Sequence, residues 1–384
     1  MEEFDAISFV CHEYPPLGGG AATALHYLAK TLVNQGKKVQ VITIGIDSSA
    51  DTESCVDGIK LIKLAAGRKS ILAPSAQELV FSYLALKFKS GRYLTQFCPD
   101  VICGWFAFPG AHAAAGYAKK NNVPLFASIR GSDVPGFSSK RWGAVEFFQP
   151  FLVRRAFSHV KSVIANGDYL AGLAKPYLTS KPLVVLPNGV DTNVFSVNKS
   201  SEQNSSDGVI KILCVGQLIS RKQSVTVVES CKKLSEKTKV HLTMAGDGPL
   251  REQILRFVDR SDDSFVLDVK GVVDRAHMPD LYKENDVLLH LSKAEGVSNV
   301  LLEAMACGLA VVCADSALDT TIKKTGGAII LKNTSAEYVS DRLFTLIKNK
   351  DDLAAAKARS LDVVKDFSWD GYARKFIDIV GKYA

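Results

Sequence analysis

Two glutamates, Glu295 and Glu303, stand in the sequence with seven residues between them. Glu295 follows Asp286–Leu291, a short apolar run typical of a buried parallel strand. Glu303 lies among helix formers that begin near Ser298–Asn299 and end before Gly308. The start of such a helix presents unpaired backbone N–H groups and the positive end of its dipole, which favour a phosphate. Carboxylates accept hydrogen bonds from sugar hydroxyls, so the stretch suits a nucleotide-sugar, which carries a diphosphate between two sugars.

An isolated pair of glutamates at this spacing is usually one solvated helix residue and one loop residue. Here the pair belongs to a longer string that starts at Ser292 and reads SxxEGxxNxLLEAMAxGxxVV. This string resembles the signature segment of the retaining glycosyltransferases of family 4, the glycosyl transferases group 1. The resemblance implies the GT-B fold, an α/β fold with two doubly wound Rossmann-like domains facing across a cleft.

Further segments extend the resemblance over most of the chain. The run PPLGGG at Pro15–Gly20, with a helix and a strand after it, resembles the first βαβ unit of GT-B enzymes. There the glycines, here Gly19 and Gly20, face the donor phosphates and the acceptor. A nicotinamide dinucleotide site is disfavoured because the third glycine of its fingerprint is missing. The segment PNGVDxxxF at Pro187–Phe195 resembles the one that ends the first domain.

The chain departs from the family pattern at two positions. Family members usually carry an arginine where Gln217 stands, and a lysine about five residues later that is matched by Lys222. In family members this arginine and this lysine both contact the donor diphosphate. Arg221, next to Lys222, could substitute for the missing arginine as the second cation. Arg130 follows a predicted strand at a position where the family commonly has histidine, and it could face an anionic group.

The resemblance implies a role for each residue of the site. Glu295 would hold hydroxyls of the donor sugar, Glu303 the nucleotide ribose, and the backbone of Val273 the base. Lys222 and Glu295 are the predicted catalytic residues. Departure of the nucleotide would be eased by Lys222 and by backbone N–H groups of the loop before the helix, which is formed by Gly296, Val297, Ser298 and Asn299. In related enzymes the acceptor attacks the front face with help from the leaving phosphate, so no protein nucleophile is nominated.

No metal and no cofactor are expected besides the donor, a UDP- or GDP-sugar. The sequence contains no Asp-x-Asp motif, which would indicate a divalent ion that clamps the diphosphate. Its eight cysteines are scattered singly, with no Cys-x-x-Cys pair, as in reduced core cysteines.

The length of 384 residues fits two domains. We predict a first domain over residues 1–197, a polar linker over 198–208 and a nucleotide-sugar domain over 209–366. The tail, 367–384, has the pattern of an amphipathic helix, and in GT-B proteins a comparable helix crosses back onto the first domain.

The net charge of +7 is concentrated in the first half. Up to Val190 the chain holds 20 lysines and arginines against 13 acidic residues, and from there on 27 against 27. The excess suggests an anionic partner, such as a phospholipid surface, a lipid diphosphate or a nucleic acid.

The apolar helix predicted over Ser75–Tyr93 ends in basic residues and could face a membrane. The segment Trp142–Val160 is predicted as a half-buried helix and not as a surface on which nucleic-acid bases stack. No apolar run of about 20 residues is present, and the acidic N-terminus leads straight into a strand.

These observations favour a metal-independent, retaining glycosyltransferase of hexosyltransferase type, acting on a glycan or lipid-linked acceptor in bacterial polysaccharide or lipopolysaccharide assembly. We expect a cytoplasmic protein with peripheral contact to the inner face of the membrane through its first domain, and no nucleic-acid partner. One alternative is a nucleotide-sugar 2-epimerase on the same scaffold. Another is a catalytically dead relative that binds membranes or nucleic acid, which the intact segment between the two glutamates argues against.

Overall fold

The structure, a computed structural model, describes residues 4–71, 74–137, 144–197, 208–258, 263–317 and 320–384. The chain divides into two compact units. The first unit comprises residues up to Asn188 together with Trp369–Ala384, and the second comprises Gly189–Ser368. The predicted class, α/β with two doubly wound parallel-sheet domains, is confirmed.

The first unit is built on an eight-stranded sheet in the order β3-β4-β2-β1-β5-β6-β7-β8. All neighbours are parallel except β3 and β4, which form an antiparallel hairpin at one edge. The strands are β1 (Ala6–Val10), β2 (Lys38–Ile46), β3 (Thr52–Val56), β4 (Ile59–Arg68), β5 (Val101–Trp105), β6 (Leu125–Ile129), β7 (Val163–Ala165) and β8 (Leu183–Val185).

Both faces of this sheet are covered, because its strands are apolar on both sides. On β2, Ile42 and Ile44 join one buried cluster while Val39 and Val41 join another, as the alternation of side chains along a strand requires. The helices are α1 (Gly20–Asn34), α2 (Ala76–Phe97), α3 (His112–Asn121), α4 (Ala144–Ser158), α5 (Asp168–Ala174) and the C-terminal α13 (Trp369–Tyr383).

The second unit repeats the plan with a six-stranded parallel sheet in the order β11-β10-β9-β12-β13-β14. Its strands are β9 (Val209–Val215), β10 (Lys239–Ala245), β11 (Phe265–Gly271), β12 (Val287–His290), β13 (Ala310–Ala314) and β14 (Ile329–Leu331). Its helices are α6 (Ser224–Leu234), α7 (Arg251–Leu255), α8 (Met278–Lys283), α9 (Asn299–Ala306), α10 (Thr320–Thr325), α11 (Ala336–Ile347) and α12 (Lys350–Val364).

The boundary between the units lies before the linker that composition indicates. Residues 189–197 belong to the second unit, because Val190 pairs with Ser368 in an isolated β-bridge and Phe195 packs edge-on against Tyr282. Residues 198–207 of the predicted linker lie outside the described residues. The tail belongs to the first unit, where Trp369 stacks on Tyr27 with ring centroids 5.5 Å apart.

Two helices of the first unit differ from their sequence predictions. Helix α2 continues four residues beyond Tyr93, and its start is fixed by a capping box between Ser75 and Glu78. Helix α4 is not half-buried along its length, since Phe157 is buried but three phenylalanines nearer its start are exposed. Trp142 lies outside the described residues. Within the described part of the chain, no helix combines the length and the apolar character that crossing a membrane requires.

Candidate active site

The order of strands in the second sheet reverses between β9 and β12. From β9 the chain first adds β10 and β11 on one side, and then returns to add β12, β13 and β14 on the other. In open parallel sheets, ligands bind outside the carboxyl ends of the strands at such a switch point. Arg221 and Lys222 follow β9, and Glu295 follows β12, so the fold brings all three to this point. The backbone joins the two loops, because Lys293 N–H donates to the Arg221 carbonyl at 2.9 Å.

Glu295 is the centre of a compact polar cluster. Its Oε1 accepts hydrogen bonds from Arg221 Nη1 at 3.0 Å, from Ser292 Oγ at 2.7 Å and from the Lys222 ammonium. Arg221 Nη1 also donates to the Ala294 carbonyl at 2.7 Å. In the part of the chain that the structure describes, all of these bonds end at Oε1, which leaves Oε2 of Glu295 for another donor.

The cluster fixes the charge of its members. Burial alone would raise the pKa of the Glu295 carboxyl, but the charges of Lys222 and Arg221 outweigh it and lower the pKa to about 2. The buried His290, at the end of β12, has its Nε2 3.9 Å from Glu295 Oε1, beyond hydrogen-bond range. Burial and the nearby charge of Lys222 lower the pKa of His290 to about 3. At neutral pH the cluster therefore contains two cations, one anion and a neutral imidazole.

Glu303 lies in a second polar cluster, on helix α9. Its Oε1 accepts from Arg275 Nη2 at 2.8 Å and its Oε2 from the Tyr282 hydroxyl at 3.0 Å. Glu303 itself is 4% exposed, while the Arg275 side chain is 41% exposed and lies over the Phe195 ring. Burial raises the pKa of Glu303, against the opposing effect of Arg275 and Tyr282. Glu303 is thus a buried hydrogen-bond acceptor whose position is fixed by Arg275 and Tyr282, and not a solvated helix residue.

The remaining predicted residues of the second unit surround these clusters. Helix α9 begins at Asn299 with Ser298 as its N-cap, so the positive end of its dipole lies in the loop that also holds Gly296 and Val297. Val273 is half-buried and precedes Arg275 by two positions, after β11. Gln217 is half-buried, and its carbonyl accepts from Ile219 N–H at 2.9 Å.

In the first unit, the glycine loop also lies at a switch point, between β1 and β5. Gly19 is the N-cap of α1 and Gly20 its first residue. Gly18 has a φ of +90°, and a Cβ there would lie 2.6 Å from a carboxylate oxygen of Glu13. Only glycine fits this backbone, which passes directly over an acidic side chain. The glycine loop therefore places its helix start where a ligand of the first unit would bind.

Arg130 is buried in the first unit and is held there by contacts with three other residues. It is 8% exposed and stacks on Trp105, with its guanidinium carbon 3.5 Å from the ring centroid. Its Nη1 donates to Asn188 Oδ1 and its Nη2 to the Tyr372 hydroxyl, each at 2.7 Å. These bonds connect the end of strand β6 to Asn188, where the chain leaves the first unit, and to helix α13, where it has returned to that unit. These contacts give Arg130 a structural role, while its buried Nε has no hydrogen-bond partner among the described residues.

Besides Ser292, which the motif contains and which donates to Glu295, three residues of these clusters were not predicted to belong to the site. Arg275 and Tyr282 hold Glu303, and His290 lies beside Glu295. A buried strand that ends in histidine was a signal for His290, since the carboxyl ends of parallel strands carry ligand-binding residues. Arg275 and Tyr282 gave no signal, because their contact with Glu303 depends on how α8 packs on α9.

Comparisons with known proteins match both units. Residues 196–360 match the family described as Glycosyl transferases group 1, and residues 18–194 match Glycosyltransferase Family 4. A Bacillus subtilis glycosyltransferase named for teichuronic acid biosynthesis is 24% identical over 252 residues, which are 64% of this chain and 60% of that protein. The phosphatidylinositol N-acetylglucosaminyltransferase GPI3 subunit of Saccharomyces cerevisiae is 20% identical over 382 residues, 98% of this chain and 79% of that protein.

Solved structures show the same fold. The sucrose-phosphate synthase of Thermosynechococcus elongatus superposes with a TM-score of 0.80 at 16% identity, over 98% of both chains. HepE of Anabaena, crystallised with UDP and glucose, has a TM-score of 0.74 at 16% identity, over 98% of this chain and 100% of that one. Together the two family matches and the shared fold establish that the chain belongs to the glycosyl transferases group 1, the family 4 glycosyltransferases with the GT-B fold.

Proposed function

We propose that the protein transfers a hexosyl group from a UDP-sugar, or a GDP-sugar, to a hydroxyl of a glycan or lipid-linked acceptor, with retention of configuration and without a metal. The observation that carries the proposal is the cluster of Glu295, Lys222 and Arg221 at the switch point of the second sheet. UDP is the favoured nucleotide because HepE, which shares the fold, was crystallised with it.

The chemistry follows from the charges of the cluster. When the bond between sugar and diphosphate breaks, negative charge grows on the leaving phosphate. Lys222 and Arg221 stand where they could stabilise it, and the start of α9 adds the positive end of a helix dipole. Both side chains are already held by Glu295, so little reorganisation is needed when the donor binds.

Glu295 then has two tasks. It holds the two cations through Oε1, and its Oε2 can accept a hydrogen bond from a hydroxyl of the donor sugar. Glu303 would accept the ribose hydroxyls, as each of its oxygens can take a further bond besides those from Arg275 and Tyr282. No side chain is assigned as a nucleophile, and the leaving phosphate itself would take the acceptor's proton.

The acceptor belongs in the class that the relatives' names suggest, a cell-surface glycan or a glycolipid. The test is incubation of the protein with a panel of UDP- and GDP-sugars, with and without a membrane extract, followed by mass spectrometry. We expect one nucleotide-sugar to be consumed only when acceptor is present, with release of the nucleoside diphosphate. Isomerisation of the donor in the absence of acceptor would instead identify an epimerase, and no consumption of any nucleotide-sugar, with or without the extract, would overturn the proposal.

A further inference from the structure

Helix α2 of the first unit exposes a row of large apolar side chains. Phe81, Leu84 and Phe88 follow one another at intervals of three and four residues, so they share one face of the helix. All three are exposed, and Phe88 reaches 74%. An isolated exposed apolar residue needs no explanation, but a row of them indicates a surface that meets an apolar partner.

The row forms one wall of a groove of about 560 Å³. Small residues at the end of strand β4, Ala65, Ala66 and Gly67, line it together with the three apolar side chains of α2. This volume lies within the range of ordinary ligand sites, roughly 300–1,000 Å³. Because its lining is mostly apolar, the groove fits a narrow hydrocarbon chain better than a sugar or a nucleotide.

One end of the groove is basic. Phe88 and Lys89 also line a second hollow with Asp51 and Arg92. The Asp51 carboxylate lies 3.0 Å from Lys89 Nζ and 2.8 Å from Arg92 Nη2, so one anion faces two cations. The Lys87 ammonium adds a third positive charge, 5.7 Å from the centroid of the Phe88 ring. An anionic group at this end of the groove would be attracted.

Helix α4 of the same unit also exposes large apolar side chains. Leu79 and Tyr83 of α2 and Leu152 of α4 pack in one small cluster around Phe108, so the two helices are neighbours. Exposed apolar side chains of α4 are Phe147, Phe148 and Phe151, of which Phe147 is 82% exposed. Helices α2, α3 and α4 together carry seven lysines and arginines and two glutamates. Aromatic and basic side chains in this combination suit an anionic lipid surface.

We propose that the groove binds one acyl chain of an anionic phospholipid, whose headgroup lies against Lys89 and Arg92, while the phenylalanines of α4 insert into the same lipid surface. A peptide partner is disfavoured because charged residues occupy only one end of the groove. The proposal does not depend on the transferase chemistry, because all of its residues belong to the first unit and none was assigned to the donor.

The groove is tested with a soluble probe, short-chain phosphatidylglycerol below its critical micelle concentration, titrated by calorimetry. Ala66→Leu should fill the groove and weaken binding at least about tenfold, and Leu84→Ser, at a more exposed wall position that tolerates substitution, should do the same. Phe147→Ser should leave binding of this single lipid unchanged.

The surface is tested by sedimentation with vesicles of phosphatidylcholine, with and without phosphatidylglycerol. The wild type should sediment with the anionic vesicles at low salt and be released as salt increases. Leu84→Ser and Phe147→Ser should each reduce the bound fraction, whereas Val266→Ser, which removes an exposed apolar side chain from the second unit, should not.

Binding of UDP, measured in parallel, should be equal in all variants, so that a failure here is separate from a failure of the transferase proposal. Equal binding to both kinds of vesicle, or to neither, would overturn the proposal. Retained binding of the short-chain lipid by both groove variants would overturn the role of the groove.

Discussion

The guanidinium of Arg221 lies 3.0 Å from the carboxylate of Glu295, on the loop that follows the adjacent parallel strand. The pair joins the two loops that flank the switch point of the second sheet. Because Lys222 binds the same oxygen, the carboxylate holds two cations side by side. A site that must stabilise a leaving diphosphate needs such cations in place before the substrate arrives.

Removing Lys222 should weaken nucleotide binding. Lys222→Ala removes a largely buried charge from the diphosphate position, so the affinity for UDP should fall by about one to two orders of magnitude. Calorimetric titration of UDP measures this directly. Lys239→Ala is the matched control, since Lys239 is exposed at the amino end of β10, on the opposite edge of the same sheet. The assignment of Lys222 is wrong if both variants bind UDP as tightly as the wild type.

His290 should make the second unit less stable in mild acid. The folded protein holds the pKa of His290 at about 3, through burial and then the charge of Lys222, whereas the unfolded chain protonates near about 6.5. The unfolded state therefore binds more protons between these values, and stability is lost as the pH falls through this window. His290→Leu removes this effect, so relative to wild type it should gain about 2 kcal/mol between neutral pH and about pH 5.

Denaturant unfolding followed by circular dichroism at the two pH values measures the difference. Glu295 contributes little at about pH 5, because its carboxyl is mostly ionised there in both the folded and the unfolded state. A difference between wild type and His290→Leu that stays constant with pH would contradict the lowered pKa.

Tyr372 should stabilise the first unit through Arg130. Tyr372→Phe leaves a donor of the buried Arg130 guanidinium without its 2.7 Å partner, which should cost about 1–3 kcal/mol. All three tryptophans of the chain belong to the first unit, so tryptophan fluorescence follows the unfolding of that unit alone. Tyr383→Phe, the same change near the end of the same helix, should have an effect within about 0.5 kcal/mol. Equal effects of the two changes would show that the Arg130 bond contributes nothing.

The sequence was a good guide to elements and a partial guide to the site. Apolar runs such as 286–291 predicted buried parallel strands, and the residues after them indeed lie at the carboxyl edge of a sheet. Arg221, Lys222 and Glu295 were placed together because the family resemblance assigns all three to the donor, and in the structure their loops follow adjacent strands. Arg275 and Tyr282 could not be placed beside Glu303, since helix packing, which has no local pattern, decides that contact.

On helix α4 the sequence pattern predicted more burial than the structure shows. Aromatic residues at helical spacing are usually core residues, yet Phe147 and Phe151 are exposed while Phe157 is buried. The apolar face of this helix is wider than the surface that the first unit offers it. A sequence pattern reports which residues are apolar, but not whether the protein itself supplies a partner for all of them.

The two glutamates should have separable roles in binding and transfer. Glu303→Gln keeps shape but removes charge, and it should weaken UDP alone and the whole nucleotide-sugar alike, by about one to two orders of magnitude. Glu295→Gln keeps an amide oxygen that can still accept the bonds from Arg221 and Lys222, so binding of UDP should stay nearly intact. Transfer should fall by a similar factor, because the donor sugar loses its charged acceptor and is absent from UDP. Thermal unfolding of each variant checks that the site has not collapsed.

The decisive measurement is a UDP titration of the two variants beside a turnover assay. We expect opposite patterns, with affinity lost in Glu303→Gln and turnover lost, at unchanged UDP affinity, in Glu295→Gln. An equal loss of UDP affinity in both variants would contradict the assigned roles. If neither variant loses affinity or turnover, the two clusters are structural, and the proposed transferase site is wrong.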